Sequence, residues 1–418
     1  MKTKIAFSLL TILFFLHSCT KEKCTHTYEG VTYTAVYAPM STLRSVSILP
    51  AKPITSNGKI FIKGNFIFLN EVDKGFHIIN NTNPAAPQRI AFVSVPGNLD
   101  MIASGNYLLV DNYIDLLTFD ISNPANIQLV KRTENALPFR RYNYGFTDNA
   151  TNGIIIAFNK KIEKREMDCN DNSGFATINF QTAFVSLASA PAPSRLGGGN
   201  GQAGSLSRFA TVNNYLYVAN RYGITPIDIT SALNPIVKPE VTQNLGVFET
   251  LYGFNNTLFV GSPRGMFILS LANPAAPAYL SSFMHWRGCD PVVVQNNKAY
   301  VTVRGGGPCG GDRNFLDIID VTNLAQPTLI KSYQLQNPYG LGIYDNKLGI
   351  CDGTAGFKIF DATNSNNLIL KNTISNINAF DVIMNNDYAL LVAKDGMYQY
   401  NITNSTNPIL VSKIAINN

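Results

Sequence analysis

The sequence is poor in the residues that many enzymes and nucleic-acid-binding proteins use. Only 14% of its 418 residues are charged, and it has 4 histidines and 1 tryptophan. It contains no G-x-S-x-G, H-E-x-x-H or C-x-x-C motif, so it lacks the sequence signals of serine hydrolases, zincins and small zinc modules. The net charge is +6, but no dense lysine or arginine patch stands among aromatic residues. This distribution argues against nucleic-acid binding.

Long amphipathic helical patterns are also absent, whereas residues typical of turns and strands are plentiful. The chain has 31 glycines, 21 prolines and 19 tyrosines, and 45% of its residues are hydrophobic. This is enough apolar material for a large core and too little charge for a disordered chain. The composition therefore predicts a globular all-β protein with many turns.

A short pattern recurs along most of the chain, and residues 315–331, FLDIIDVTNLAQPTLIK, show it clearly. In each copy a run of strand-forming residues, apolar on both alternating faces, ends at one polar residue, which is typical of a strand covered on both sides. These polar residues recur at about forty residues in most copies. They are Asn80, Asp120, Asp228, Ser270, Asp320, Asp361 and Asn401.

Turn chemistry follows each run, and a hairpin pattern precedes it. A serine or threonine usually stands two residues after the polar residue, and a proline often stands seven after it. Each period therefore reads as four antiparallel strands, the unit of a β-propeller blade. Both terminal repeats keep the apolar pattern instead of a polar cap, which favours a closed ring. We expect eight blades if residues 137–207 hold a divergent blade with a long insertion, and seven if they form only a hairpin.

The repeats resemble a known family. The sequences IID at residues 318–320, FDISNP at residues 119–124 and IDIT at residues 227–230 are similar to the LVIVD repeat, a propeller-forming motif of bacterial lipoproteins. The resemblance implies a secreted or surface-anchored β-propeller. It implies no particular activity, because the family has no established common one.

The N-terminus is typical of a lipoprotein leader. Lys2 and Lys4 precede an apolar run at residues 5–16, and the sequence LHSC at residues 16–19 resembles a lipobox. The resemblance implies cleavage before Cys19 and acylation of its thiol, with an ordinary secretory leader as the alternative. We therefore predict a signal peptide at 1–18, a tether and N-terminal segment at 19–53, and the propeller at 54–418. The expected location is the outer membrane of a Gram-negative bacterium, on its periplasmic or cell-surface side.

The propeller template collects charged residues at one mouth of the central channel. At the starts of first strands lie Lys59, Asp100, Arg208, Glu249, Asp290 and Asp381. Near the ends of second strands lie Glu71, Asp73, Asp111, Arg221, Arg264, Arg304, Asp352 and Lys394. Such a ring must be solvated, internally paired or occupied by a cation such as calcium, although no dedicated calcium loop is present and no cofactor is predicted. The candidate binding residues are Asp100, Arg208, Glu249, Asp290, Arg304, Asp381 and the sole tryptophan, Trp286.

The 6 cysteines fit an exported protein in which disulfides are permitted. Cys289 opens a repeat, and Cys309 lies in the loop between that repeat's second and third strands, on the same predicted face. A bridge between them would close a loop of about twenty residues and contribute on the order of 3 kcal/mol. The alternative pairing joins Cys309 to Cys351 of the next repeat.

These observations favour a non-enzymatic, lipid-anchored envelope propeller that serves as a scaffold for binding a protein or a glycan, and we expect a monomer. The alternative is a hydrolase or lyase acting on an extracellular polymer through the acidic mouth. Asp100 with Asp381 would then be the carboxylate pair.

Overall fold

A computed structural model describes residues 25–142, 146–168, 202–203, 207–220, 222–242, 245–285, 288, 291–306, 311–385 and 387–416. The regular secondary structure of the described residues consists of strands, apart from one 3-10 turn at Met40–Leu43. One compact unit contains residues 25–37 and 155–168. The other contains residues 38–154 and the described residues from 202 onward.

The first unit consists mainly of one pair of long strands. Strands β1 (Thr25–Ala38) and β11 (Ile154–Asp168) form a separate two-stranded sheet.

The second unit is a β-propeller of seven blades, each an antiparallel sheet of four strands in chain order. Blade 1 contains β3 (Ile60–Lys63), β4 (Phe66–Glu71), β5 (Gly75–Asn80) and β6 (Gln88–Ser94). Blade 2 contains β7 (Met101–Ser104), β8 (Tyr107–Asn112), β9 (Asp115–Asp120) and β10 (Gln128–Thr133). Blade 3 contains β13 (Phe209–Val212), β14 (Tyr215–Ala219), β15 (Gly223–Asp228) and a fourth strand split into β16 (Ile236–Val237) and β17 (Val241–Thr242).

The remaining four blades are regular. Blade 4 contains β18 (Thr250–Phe254), β19 (Thr257–Ser262), β20 (Gly265–Ser270) and β21 (Ala278–Met284). Blade 5 contains β22 (Val292–Gln295), β23 (Lys298–Arg304), β24 (Asn314–Asp320) and β25 (Thr328–Gln334). Blade 6 contains β26 (Leu341–Tyr344), β27 (Lys347–Cys351), β28 (Phe357–Asp361) and β29 (Ile369–Ile374). Blade 7 contains β30 (Ala379–Met384), β31 (Tyr388–Ala393), β32 (Gly396–Asn401) and β33 (Ile409–Ala415).

The count of seven confirms the smaller of the two predicted numbers, and the prediction of eight is wrong. Residues 153–158 and 160–166 look strand-like in sequence, but the strand that contains most of them, β11, pairs with β1 rather than with neighbours that would complete a blade. The described residues 137–153 carry only isolated bridges, between Arg141 and Thr147 and between Asn149 and Gly153. Most of the predicted insertion lies outside the described residues.

The seven polar residues that define the repeat each end the third strand of a blade, as the sequence predicts. In every blade the side-chain oxygen of this residue accepts a hydrogen bond from the backbone N–H two positions on, at 2.8 to 3.2 Å. This Asx-type turn releases the chain from the third strand and directs it to the fourth. At Asp320, the hydrogen bond from the ammonium group of Lys298 and the bonds of this turn lower the carboxyl pKa from its ordinary 3.8 to about 2.

Glycine begins the third strand where the backbone adopts a conformation that other residues avoid. Gly75 has φ 130°, and a Cβ there would lie 1.9 Å from the carbonyl oxygen of Val93. Gly356 has φ 91° and its Cβ would lie 2.3 Å from the carbonyl oxygen of Ile374. In both blades the fourth strand approaches so closely that a side chain does not fit.

The ring closes between blade 7 and blade 1 through side chains. Asn81 and Gln399 exchange two amide hydrogen bonds of 2.9 and 2.6 Å across this junction. An apolar cluster that includes Ile60, Ile383 and Leu390 joins the two blades. Each of these blades already has four strands from one continuous stretch, so neither depends on a strand contributed by the other chain end.

Two additional strands extend blade 1. Strand β2 (Ser47–Pro50) pairs with the outer edge of β6. Strand β12 (Gln202–Ala203) pairs antiparallel with β3, with Gln202 opposite Ile62 and Ala203 opposite Phe61. The first strands of successive blades contact one another around the centre of the ring. The backbone of β12 therefore lies on the channel side of blade 1.

The core lies between the blades, as expected when a sheet must be covered on both faces. Apolar clusters join blades 1 to 3, blades 3 and 4, blades 4 to 6, and blades 6 and 7. Among the described residues, no helix has the length and apolar character needed to span a bilayer.

Candidate functional site

The candidate site is the upper face of the propeller, which we define as the face where first strands begin and second strands end. The structure brings Asp100 and Arg208 together at the centre of blades 1 to 3. Arg304 lies across the ring, at the junction of blades 5 and 6. Glu249 precedes the first strand of blade 4, and Asp381 is buried in the first strand of blade 7. The predicted residues Asp290 and Trp286 lie outside the described residues.

Asp100 is the centre of a buried charged cluster that we call the hub. Its side chain is 1% exposed and accepts a hydrogen bond of 2.7 Å from the ammonium group of Lys59. It also accepts bonds from the Ser207 hydroxyl at 3.1 Å and from the Arg208 backbone N–H at 2.9 Å. The backbone N–H of Met101 donates to its other oxygen at 2.9 Å. Asp100 in blade 2 thus holds both neighbouring blades.

Asp111, at the end of the second strand of blade 2, is the second carboxylate of the hub. Its Oδ1 accepts hydrogen bonds of 2.7 to 2.8 Å from the Asn98 amide and the backbone N–H groups of Leu99 and Asp100. Its Oδ2 lies 3.4 Å from Arg140 and 3.8 Å from Arg208. Burial raises the pKa of Asp111, and the two arginines partly offset this effect.

Arg140 reaches the hub from the segment that follows blade 2. Its guanidinium group forms an ion pair of 3.0 Å with Asp73, donates to the carbonyl of Gly97 and lies 4.7 Å above the ring of Tyr113. Burial acts to lower the pKa of Arg140, but the carboxylates of Asp73 and Asp111 raise it overall. Arg140 therefore stays charged and neutralises the rim of the hub.

Lys59 shows why the hub is not suited to proton transfer in a reaction. It is 7% exposed, and burial lowers its pKa although Asp100 opposes the shift. The ammonium group and the carboxylate are each other's partners at 2.7 Å. Any substrate would have to displace a buried ion pair before it could exchange a proton, which costs several kcal/mol. The hub geometry supports a structural lock between blades 1, 2 and 3.

A metal site has little support from the part of the chain that the structure describes. No group of three or more histidine, cysteine, aspartate or glutamate side chains there is arranged to hold a metal ion. In the hub, lysine and arginine groups occupy the positions around the carboxylates.

Several hub residues carried no sequence signal. Arg140 lies in a segment without repeat pattern, so its approach to blade 2 depends on the path of that segment. Asn98 is fully buried and joins Asp111 to Asn70 of blade 1, whose amide donates to the Asn98 side-chain oxygen at 2.7 Å. Ser207 immediately precedes Arg208 at the start of blade 3 and could have been included with it.

A second charged cluster lies on the upper side of blade 1, at the end of its second strand. Glu71 is fully buried and accepts hydrogen bonds from Lys52 at 3.1 Å and from the backbone N–H of Thr55 at 2.5 Å. His77 lies 3.3 Å from the same carboxylate and is also fully buried. Burial acts to raise the pKa of Glu71, but the bonds from Thr55 and Lys52 lower it to about 2. This cluster fixes the segment that leads into blade 1.

An arginine and two aromatic rings form a row across blades 5 to 7. The guanidinium carbon of Arg304 lies 4.0 Å from the centre of the Tyr339 ring. The Tyr339 ring meets Phe380 edge to face at 5.1 Å between centroids. All three side chains are half-buried, so part of the row faces solvent on the upper face.

The proposed carboxylate pair of Asp100 and Asp381 finds no support in these contacts. Asp100 is held by blades 1 and 3, whereas Asp381 lies in blade 7 beside Cys351 of blade 6. Burial raises the pKa of the Cys351 thiol, and the carboxylates of Asp381 and Asp352 raise it further.

The described residues include only one of the cysteines for which a pairing was predicted. Cys351 is a buried free thiol, so the alternative bridge between Cys309 and Cys351 is wrong. Cys289 and Cys309, the preferred pair, lie outside the described residues, as does Cys19.

Comparisons with known proteins agree with this architecture. The LVIVD repeat model matches residues 98–134 and 290–334, which cover blades 2 and 5. No curated protein matches the chain. Among solved structures, the computationally designed protein Ika8 has a TM-score of 0.51 at 9% identity, over 87% of this chain and 89% of that one.

Two natural proteins match this chain with lower TM-scores than Ika8. Hsv2 of Kluyveromyces lactis has a TM-score of 0.46 at 10% identity, over 86% of this chain and 98% of that one. PorZ of Porphyromonas gingivalis, described as a surface component of the type-IX secretion system, has a TM-score of 0.46 at 12% identity, over 89% of this chain and 39% of that one. At such identities the likeness concerns the fold alone. The chain is thus a seven-bladed β-propeller in which two blades match the LVIVD repeat.

Proposed function

We propose that this propeller is a non-enzymatic, lipid-anchored envelope protein that binds a protein or a glycan through its upper face. The observation that carries the proposal is the state of the hub carboxylates. Asp100 and Asp111 are buried and fully engaged by cations and N–H donors. A general acid or base needs a carboxylate that can reach substrate and change protonation state. The hub instead provides a rigid base beneath exposed loops, which suits recognition.

The alternative, a hydrolase or lyase, depends on the acidic mouth. Its two carboxylates would have to flank one scissile bond at a fixed separation. The contacts of Asp100 with blades 1 and 3 favour a role in holding these blades together over such a catalytic role.

The anchor follows from the leader and from Cys19. Two or more acyl chains buried at about 0.8 kcal/mol per methylene hold a protein on a membrane persistently. The proposed location is the outer membrane of a Gram-negative cell, with the propeller acting as a monomer.

Membrane fractionation tests the anchor. We expect the wild-type chain to remain in the membrane pellet after carbonate washing and Cys19→Ala to appear in the soluble fraction. A Cys19→Ala protein that stays in the washed pellet would refute lipid anchoring at this residue.

Capture experiments test the binding role. The purified chain is screened on a glycan array and against envelope extracts of its own host, with a variant carrying Tyr339→Ala and Arg304→Ala as comparison. We expect a ligand whose binding weakens in the variant. Turnover of a polymer by the wild-type chain, lost in Asp100→Asn, would overturn the non-enzymatic assignment.

A further inference from the structure

The upper face has an exposed group of arginine and aromatic side chains between blades 2 and 3. We call Arg141, Arg208, Tyr222 and Phe139 the arginine patch. Tyr222 is 39% exposed and Phe139 is 36% exposed, and Arg141 is also exposed. Arg208 also borders the hub, with its guanidinium group 3.8 Å from Asp111, whereas Arg141, Tyr222 and Phe139 lie outside the hub, which uses Arg140 from the same segment as Arg141 and Phe139.

The backbone explains why neighbouring arginines face in opposite directions. Arg141 pairs with Thr147 in an isolated antiparallel bridge, so the chain is extended there. Side chains alternate along an extended chain, which directs Arg140 inward to Asp111 and leaves Phe139 and Arg141 outside. The segment thus closes the hub with one arginine and presents another to solvent.

Arg208 supplies a cation that has one weak ion pair among the described residues. Its side chain is 31% exposed, and its guanidinium group lies 3.8 Å from Asp111, beyond hydrogen-bond distance. Among the described residues, Asp111 is the one carboxylate within 4.0 Å of this guanidinium group. Asp111 is also shared with Arg140 at 3.4 Å, so Arg208 is only partly neutralised. A guanidinium group with five N–H donors in this state is suited to bind an anion.

Tyr222 brings an aromatic surface to the same place. It lies in the loop between the second and third strands of blade 3. The second strand ends at Ala219, whose N–H donates a hydrogen bond to the carbonyl of Arg208, so this loop is at the same end of the blade as Arg208. The guanidinium carbon of Arg141 is 5.4 Å from the centre of the Tyr222 ring. Arg141 and the exposed Tyr222 ring therefore meet at one edge of the channel mouth, where Arg208 begins the same blade as Tyr222.

We propose that the arginine patch binds an acidic saccharide, with Arg208 and Arg141 holding a carboxylate and Tyr222 stacking against the sugar ring. A uronic acid presents an anionic group and a flat apolar C–H face on the same ring, which matches a tyrosine beside an arginine. An acidic peptide side chain has the charge without that adjoining flat face. This inference rests on the proposed binding function and assigns it a ligand class.

Calorimetric titration of the purified full chain tests the inference. The probes are tetragalacturonate and the same oligomer with its carboxylates methyl-esterified, so that only the charge differs. We expect the acidic oligomer to bind, the ester to bind at least tenfold more weakly, and the affinity to fall as salt is raised. Arg208→Ala and Tyr222→Ala should each reduce the affinity at least tenfold.

Arg89→Ala is the matched control, because Arg89 is a half-buried arginine on the outer strand of blade 1. It should bind tetragalacturonate like the wild-type chain. An unchanged melting temperature and circular dichroism spectrum identify the patch variants as folded. Arg141→Ala, an exposed position, provides a second variant should Arg208→Ala fail to fold.

The outcomes separate this inference from the proposed function. Equal binding of acid and ester, or binding unchanged in Arg208→Ala and Tyr222→Ala, would overturn the acidic-saccharide site and leave a binding scaffold intact. Capture of a protein with no saccharide binding would likewise overturn only the ligand class. Failure to bind any glycan or protein would overturn both.

Discussion

The buried pair of Lys59 and Asp100 provides the most direct test of the hub as a structural lock. Asp100→Ala removes the only carboxylate that Lys59 contacts within hydrogen-bond distance among the described residues. It also removes the acceptor of the Ser207 hydroxyl and the Arg208 N–H, at 3.1 and 2.9 Å. The side chains of the pair are 9% and 1% exposed, so water cannot easily replace the lost partner.

The expected loss follows from this burial. Removing one member of a buried ion pair costs about 3–5 kcal/mol, because the other charge remains desolvated and alone. Removing both members, with Lys59→Met and Asp100→Ala together, should cost less than Asp100→Ala alone, since no uncompensated charge remains. Subtracting the losses of both single variants, Lys59→Met and Asp100→Ala, from that of the double variant gives the coupling energy between the two residues.

Urea unfolding followed by circular dichroism measures these changes. The matched control is Asp395→Ala, which breaks a lysine–aspartate pair of 2.6 Å whose side chains are 36% and 57% exposed. An exposed pair contributes about 0–1 kcal/mol, so this control should unfold close to the wild-type midpoint. A loss for Asp100→Ala as small as that of Asp395→Ala would refute the desolvated lock. A double variant no more stable than Asp100→Ala would also refute it.

Three further predictions concern other parts of the propeller. The folded pKa of Glu71 lies at about 2, below its ordinary 4.5, so its contribution is present above pH 4.5 and lost as the pH falls toward 2. Glu71→Gln should therefore lose about 3 kcal/mol at pH 7 and progressively less in acid, and equal losses at pH 7 and pH 3 in urea unfolding would contradict this. Gln399→Ala should cost about 1 kcal/mol by leaving the half-buried Asn81 amide at the closing junction without its partner, and an unchanged unfolding midpoint would show that the junction does not depend on this pair. Cys351 is buried and its pKa is raised, so it should not react with a disulfide reagent in the native protein. Cys351→Ala should therefore leave the number of titrated thiols unchanged in the native protein and lower it by one in urea. Labelling of Cys351 in the native state would show that blade 6 opens.

Much of the fold could be predicted because the repeat encodes each blade locally. The residues that end the third strands were all visible, since an Asx-type turn needs an oxygen-bearing side chain at one fixed position. The blade number was ambiguous because strand-forming sequence alone does not specify a partner. Residues 154–168 form a strand as their composition suggests, but they pair with Thr25–Ala38, far away in sequence.

The candidate site was less accessible to sequence reasoning. Asp100 and Arg208 were found because both stand at the same repeat position, where the topology places them on one face. Arg140 and Asn98 occupy no repeat position, and only the path of the chain across the upper face shows their role. The sequence placed Lys59 and Arg208 at the mouth beside the carboxylates, but not Arg140, which pairs with Asp73 and Asp111.

A ring joined in this way can gain or lose a whole blade during evolution. Since the junction of blades 7 and 1 uses side chains and leaves every sheet whole, duplicating or deleting one unit of about forty residues interrupts no hydrogen-bonded ladder. A ring sealed by a shared strand would lose a sheet in the same event. Relatives with six or eight blades are therefore within reach of a single genetic step.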